Sequence, residues 1–332
     1  MQLKVVKIEQ HASKRADSAQ IWTFSDGRAG NARQADALAA ALGGQVRSLQ
    51  LTPRAPWRWV APRILPGAHA AFGPDFAAVR DQDPALAIGC GRQAALATRL
   101  LRGRAGATVQ ILDPRIDPRH WDIVVAPEHD RTRGANVVHL IGSLHPVDDE
   151  WLAEARAAFP QPGSLPGPRT ALLLGGPTAN ARFDADSLDA VLARLRQLRE
   201  TEGGSLLATA SRRTPPELVR RLRAGLDGVR GLCWAGPADG ANPYPSLLAW
   251  ADRIVCSPDS VNMVSEACAT RVPVHVFGRQ LGRGRQREFL DAVAARGRTG
   301  PLDQPPGAPM TPLRETPRVA ADIRQRLGWP GA

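Results

Sequence analysis

Short apolar segments recur along this chain, at residues 19–25, 45–51, 85–88, 108–112, 121–125 and 136–141. They recur again at 170–174, 205–209, 231–234, 253–256 and 272–277. Stretches of helical composition and period stand between many of them, among them 32–42, 92–102, 186–201, 215–224 and 260–270. The segments are apolar throughout rather than alternating in polarity. Strands of that kind are buried on both faces, as in a mostly parallel sheet covered by helices on each side. The alternation runs twice, with a proline- and glycine-rich stretch, PQPGSLPGP at 160–168, between the rounds. The expected fold is therefore α/β, with two Rossmann-like domains whose parallel sheets face a central cleft. The expected divisions are a tail at 1–18, a first domain at 19–160, a second at 161–312, and a helix at 313–332 packing back on the first. The 332 residues suit two units of ~150 residues each. In each, ligands are expected at the carboxyl ends of the strands.

The chain carries 43 basic and 32 acidic side chains, a net charge of +11. Its lysines are Lys4, Lys7 and Lys14, so nearly all the cations are arginines. Such a surface favours phosphates, nucleotides or acidic lipid headgroups. A GC-rich coding sequence produces the same bias. No zinc module, RNA-recognition motif or aromatic-basic stripe is present, which argues against nucleic acid. Cys90, Cys233, Cys256 and Cys268 have no metal-binding spacing and read as buried thiols in a reducing compartment. There is no secretory apolar region and no apolar run near ~20 residues. The expected location is cytoplasmic, peripheral to the inner membrane. Residues 53–73 hold Trp57, Trp59, Ile64, Leu65 and Phe72, which suggest a short helix with an exposed apolar edge.

Several loops at expected strand ends carry chemistry. Asp26, Gly27, Arg28, Ala29, Gly30 and Asn31 follow the first strand. Glycines there admit an anion to backbone N–H groups, and Asp26 is a candidate catalytic carboxylate. The plainer reading is a tight turn with Asn31 as helix cap. Gly89, Gly91 and Ala94 match G-x-G-x-x-A, with Asp113 ending the next strand, which suggests a dinucleotide site. The motif stands mid-domain, with Arg92 inside it and Pro114 after the acid. An anion-facing turn offering Arg92 to a phosphate or acceptor fits better. Glu128, His129 and Asp130 end another strand and form either an acid–base pair or a polar loop.

In the second half, Gly175 and Gly176 follow a strand, as do Ser211, Arg212, Arg213 and Thr214 ahead of Pro215. These read as a diphosphate clamp, or as capping with solvated arginines. Asn242, Pro243 and Tyr244 read as a turn, with a base-edge contact as the alternative. Asp259 or Ser260 can cap the next helix, whose core stripe is Val261, Val264, Ala267 and Cys268. Glu266 lies off that stripe. It is either a ligand for ribose hydroxyls or a solvated glutamate.

The ordered set DGRAGNxxQ, IGCGRQA, APEHD, GGP, SRRTP, NPY and DSVNMVSEA resembles the mitochondrial fission (elongated-mitochondria) family and its bacterial members. The resemblance implies a glycosyltransferase-B-like fold. It also implies that the segment holding Asp259, Ser260, Met263 and Glu266 is similar to the superfamily's donor-nucleotide motif, with Glu266 on the ribose. The function expected from this is a nucleotide-sugar-dependent glycosyltransferase, metal-independent and inverting, with no cofactor. Its acceptor is unknown, the options being a lipid-linked or a membrane-associated molecule. The acceptor side is expected at Asp26, Gly27, Gly30, Gly89, Arg92, Glu128, His129 and Asp130, with Asp26 or His129 as base. The alternatives are a non-enzymatic scaffold or adaptor at a membrane surface, and a nucleotide-sugar epimerase.

Overall fold

The computed structural model describes residues 20–329, apart from the side chain of Asp75. The expected tail at 1–18 lies outside the described residues. The described residues divide into two units, 20–146 with 315–329, and 147–314.

The first unit runs β1 (Gln20–Ser25), α1 (Ala29–Leu42), β2 (Gln45–Gln50), α2 (Trp57–Val60), α3 (Pro74–Arg80), β3 (Leu86–Cys90), α4 (Arg92–Leu101), β4 (Ala107–Ile111), β5 (Ile123–Pro127) and β6 (Val137–Leu140). Its six strands are all parallel, in the order β2-β1-β3-β4-β5-β6. β3, β4 and β5 are buried along their whole length. β3 and β5 are accordingly unbroken apolar runs, while β4 alternates and buries Thr108 and Gln110, which bond to Asp122 and to the Ile111 carbonyl.

The second unit begins with α5 (Asp149–Ala158), then β7 (Arg169–Leu174), α6 (Ala185–Glu202), β8 (Ser205–Ala210), α7 (Pro216–Leu226) and β9 (Gly231–Trp234). It continues with α8 (Tyr244–Trp250), β10 (Arg253–Cys256), α9 (Val261–Cys268), β11 (Val274–Val276) and α10 (Gly284–Ala295). Its five parallel strands are ordered β11-β10-β7-β8-β9. The last helix, α11 (Glu315–Leu327), belongs to the first unit. Its Val319, Ala320 and Ile323 complete that unit's core, and the Glu315 carboxylate accepts the Ile141 N–H at 3.0 Å.

The division differs from the expected one at 160/161. Helix α5 packs on α8, where Arg156 donates to the Ala249 carbonyl at 2.8 Å and stacks 5.7 Å from the Trp250 ring. The Pro/Gly stretch is an internal strap rather than a linker. Gly163 sits so close to Trp250 that a Cβ would fall 2.6 Å from the ring, and Arg169 donates to the carbonyls of Leu165 and Gly163. Asp149, at the start of α5, is gripped by Arg314 and Arg271 at 2.6 and 2.8 Å, which hold its carboxyl well below the usual range. Helices α3 and α10 have no counterpart in the sequence reading.

His275 on β11 places Nδ1 2.8 Å from the Gly300 carbonyl, so the proton sits on Nδ1. Burial pushes its pKa below the ordinary histidine value, outweighing that bond. The unfolded chain therefore binds this proton first. Stability from this group is present above a pH of about 6.5 and is lost as pH falls. The melting temperature is expected to drop between about pH 7.5 and 5.5, less steeply in His275→Asn, which keeps a donor and does not titrate. An unchanged slope would remove His275 from the account.

Candidate functional site

In the second sheet the connections reverse between β7 and β10: β8 and β9 lie on one side of β7, β10 and β11 on the other. Ligands of open α/β sheets gather at the carboxyl ends of strands beside such a switch point. Here the loops after β7, β8 and β10 meet. The Asp259 side chain is fully buried and knits them together. It accepts from Ser257 Oγ at 2.6 Å, from Gly176 N–H at 3.1 Å and from Arg213 Nη2 at 2.8 Å. Ser257 Oγ in turn accepts the Gly175 N–H at 2.7 Å. Thr214, also buried, donates to the Gly175 carbonyl at 2.6 Å and accepts from Ser211 N–H at 3.0 Å.

These contacts bear on three of the expectations. The helix cap is Ser260, whose Oγ accepts the Met263 N–H, while Asp259 points back into the loops. The glycines are required by internal packing: a Cβ on Gly175 would lie 2.2 Å from Asp259 Oδ1, and one on Gly176 2.2 Å from the Arg213 carbonyl. The Thr214 hydroxyl is spent on the loop backbone, and Ser211 Oγ accepts the Arg213 N–H at 3.2 Å. What remains toward solvent is Arg212, exposed and without a carboxylate partner among the described residues, and the half-exposed guanidinium of Arg213. The first turn of α9, with Val261, Asn262 and Met263 half-buried, carries the helix's partial positive charge.

Glu266 is not solvated. It is 2% exposed, and its Oε2 accepts a short hydrogen bond from the hydroxyl of Tyr244, itself buried on α8. The whole run Val264–Cys268 is inside, because α9 lies between β10, β11 and α10 rather than on a surface. The turn and base-edge readings of Tyr244 both leave out its contact with Glu266; it is the single tyrosine of the chain, a signal available in the composition. Asn242 Oδ1 accepts the Tyr244 N–H at 3.0 Å and so fixes the start of α8. Gln286 was missed too. It lies in the arginine-rich loop-helix after β11, and its amide donates to the Pro258 carbonyl at 2.6 Å. Arg283 beside it is exposed. Cys256 and Cys268 are buried, and burial pushes the Cys268 thiol up to about 12.

In the first sheet the switch point falls between β1 and β3. Asp26 lies there, 12% exposed in its side chain, accepting from Arg28 N–H at 3.2 Å and Asn31 Nδ2 at 3.0 Å. Helix α1 starts earlier than expected, with Arg28 at its cap, so Gly30 and Asn31 lie inside its first turn. Gly27 and Gly91 adopt positive φ, +81° and +87°, and the Asn31 amide occupies the place of a Gly91 Cβ. Gly89 is needed for packing against Thr98 and Gln110. The dinucleotide-like glycines thus serve the sheet itself. Arg92 is exposed, and its guanidinium donates to the carbonyls of Trp59 at 3.1 Å, Ala61 at 3.3 Å and Arg58 at 3.4 Å, closing the end of α2. Glu128 is exposed, His129 half-buried and Asp130 buried at the end of β5. β5 stands three strand steps from β1, ~14 Å at ~4.8 Å per step, so His129 and Asp26 sit at separate places.

The sequence holds two Asp-x-Asp triplets, which the metal-independent reading passed over. In the first, Asp81 pairs with Arg104 at 3.3 Å; in the second, Asp184 caps α6. Among the described residues no group of three or more His, Cys, Asp or Glu is placed to hold a metal ion.

Two parallel-stranded α/β units of this kind define the glycosyltransferase-B class of fold. Over its length the chain is similar to the UDP-GlcNAc 2-epimerase of Neisseria meningitidis, solved bound to UDP-GlcNAc, with TM-score 0.51, 12% identity, and coverage of 93% of this chain and 99% of that one. It is similar to MnaA of S. aureus, solved with UDP, with TM-score 0.50, 12% identity, and coverage of 93% and 89%. Identity this low bears on fold, not chemistry. The chain belongs to the family described as Mitochondrial fission ELM1, which it matches over residues 29–327. The Arabidopsis thaliana mitochondrial fission protein ELM1 is 30% identical over 281 residues, covering 74% of this chain. The match spans 65% of the plant protein's length. The Rickettsia prowazekii protein RP120 is 22% identical over 303 residues, covering 77% of this chain and 82% of that one.

Proposed function

We propose that the second unit binds a nucleotide sugar and that the chain is a metal-independent, inverting glycosyltransferase. The observation that carries this reading is a carboxylate, Glu266, held inside the unit six residues after the Ser260 cap. Six residues of α-helix rise ~9 Å, about the reach from a nucleotide's diphosphate to its ribose hydroxyls. In this assignment the diphosphate lies at the start of α9 against Arg212 and Arg213, and Glu266 takes the ribose. Met263 and Asn242 line the same end of the unit. Asp259, Gly175, Gly176, Ser211 and Thr214 build the loops rather than touch the ligand.

The reaction assigned is a displacement at the anomeric carbon. An acceptor hydroxyl attacks C1, its proton passes to a base, and the bond from C1 to the phosphate oxygen breaks. The nucleoside diphosphate leaves with its charge balanced by the arginines and the helix dipole. The base is assigned to Asp26 or His129, which follow strands β1 and β5 of the first unit. The Tyr244 hydroxyl must share or release Glu266 when a ribose arrives.

Thermal unfolding in millimolar UDP- and GDP-sugars tests the reading. Protection is expected with at least one of them, and clearly less is expected in Glu266→Ala. No shift with any nucleotide sugar would overturn donor binding. Conversion of a donor without acceptor would reassign the chemistry to an epimerase.

A further inference from the structure

The segment between β2 and α3 is built for a surface role that no step of the transfer chemistry uses. Among the described residues the exposed large hydrophobics are Val46, Trp59 and Ile64, and the last two, 65% and 46% exposed, stand in α2 and in the loop just after it. Scattered exposed apolar side chains are ordinary; an indole and an isoleucine five residues apart and rimmed by cations are less so. Arg54, Arg58 and Arg63 are exposed around them, and no carboxylate pairs with any of the three among the described residues. The sequence from Thr52 to Pro74 contains no Asp or Glu.

Their exposure is enforced from below. Arg92 holds the carbonyls of Arg58, Trp59 and Ala61, and Arg99 donates to the Pro62 carbonyl at 2.9 Å. Trp57 donates to the Pro66 carbonyl at 3.4 Å and joins Ala61, Ala71 and Leu96 in a small core. Phe72 packs on Phe76, with ring centroids 4.9 Å apart. The expected apolar edge at Trp57–Phe72 is thus divided. Trp57 and Phe72 turn inward and brace the loop, while Trp59 and Ile64 stay outside it.

We infer that this loop docks the first unit on an anionic lipid bilayer. Trp59 and Ile64 enter the boundary between headgroups and acyl chains, where an indole's apolar ring and N–H are both accommodated. Arg58, Arg63 and Arg54 pair with lipid phosphates, each adding an attraction screened by salt. The charge pattern selects this occupant: a cationic rim without a single acid around two apolar side chains matches an anionic, apolar-centred surface.

Co-sedimentation with vesicles tests it, using phosphatidylcholine alone and phosphatidylcholine with about 30% phosphatidylglycerol, at about 0.1 M salt. The protein is expected to pellet with the anionic vesicles and not with the neutral ones. Arg58→Gln and Arg63→Gln are each expected to weaken partition about fivefold. The double change Trp59→Ser with Ile64→Ser is expected to weaken it roughly tenfold or more, with melting temperature and circular dichroism unchanged because both side chains are exposed. Protein that stays in the supernatant overturns the inference. Undiminished binding by the double variant also overturns it, assigning attraction to the basic surface at large. Self-association without vesicles, lost in the double variant, would assign the loop to a second copy instead.

Discussion

Asp259→Ala is expected to destabilise the second unit by ~3 kcal/mol, read as a lower urea midpoint at unchanged slope. The carboxylate is fully buried and is the shared acceptor for Ser257 Oγ, Gly176 N–H and Arg213 Nη2. Alanine leaves a hydroxyl and a backbone N–H without this acceptor in a buried place. Losing one partner of a buried ion pair costs ~3–5 kcal/mol. The lower end applies because the Arg213 side chain is 53% exposed and is rehydrated when released. Asp259→Asn keeps one acceptor oxygen and is expected to lose about half as much. An alanine variant within ~0.5 kcal/mol of the parent would show that the loops after β7, β8 and β10 stand without Asp259.

Glu266→Ala and Tyr244→Phe separate a ligand-binding carboxylate from a purely structural pair. If Glu266 holds a ribose, alanine at this position removes charge-assisted hydrogen bonds worth ~2 kcal/mol, about thirtyfold in nucleotide affinity. Tyr244→Phe removes the hydroxyl that Glu266 accepts and leaves the carboxylate in place. It is expected to cost ~1 kcal/mol of stability and to leave nucleotide affinity within a few-fold. Isothermal titration with the best nucleotide sugar, beside urea unfolding of each variant, reads both quantities. Equal losses of stability with no difference in ligand binding would make the pair structural and remove Glu266 from the donor site. Because Tyr244 is the chain's single tyrosine, selective ¹³Cζ-tyrosine labelling adds one assignable resonance that must move on ligand binding if the two share Glu266.

Much of the architecture is legible in the residues. The runs LAIGC and IVVAP are apolar without alternation, and both are fully buried strands; TVQI alternates, and only the structure shows that its Thr108 and Gln110 are buried as well. Boundaries are less so. The start of α1 is displaced because Asn31 donates its amide to Asp26 rather than capping the helix. The PQPGSLPGP stretch has a linker's composition, yet its glycine and carbonyls are taken up by Trp250 and Arg169. Helix α10 carries Phe289, Leu290 and Val293 at helical spacing, a pattern present in the sequence but masked by the arginines and glycines that precede it.

The sequence by itself determined two rounds of α/β alternation. Since parallel strands all point one way, it also determined that the loops carrying Asp26, Gly175, Arg212 and Ser260 lie at carboxyl edges. Only the tertiary structure decided what those side chains do there. Gly176 and Asp259 are 83 residues apart and touch because β10 pairs with β7. Glu266 is inside because Tyr244 and α10 cover the face of α9 that a local period leaves polar. Arg92 looks like an anion ligand in the sequence, and α2 places three carbonyls in front of it. Strand order and helix coverage are settled by long-range burial, and a charged side chain's partner follows from them rather than from its neighbours in sequence.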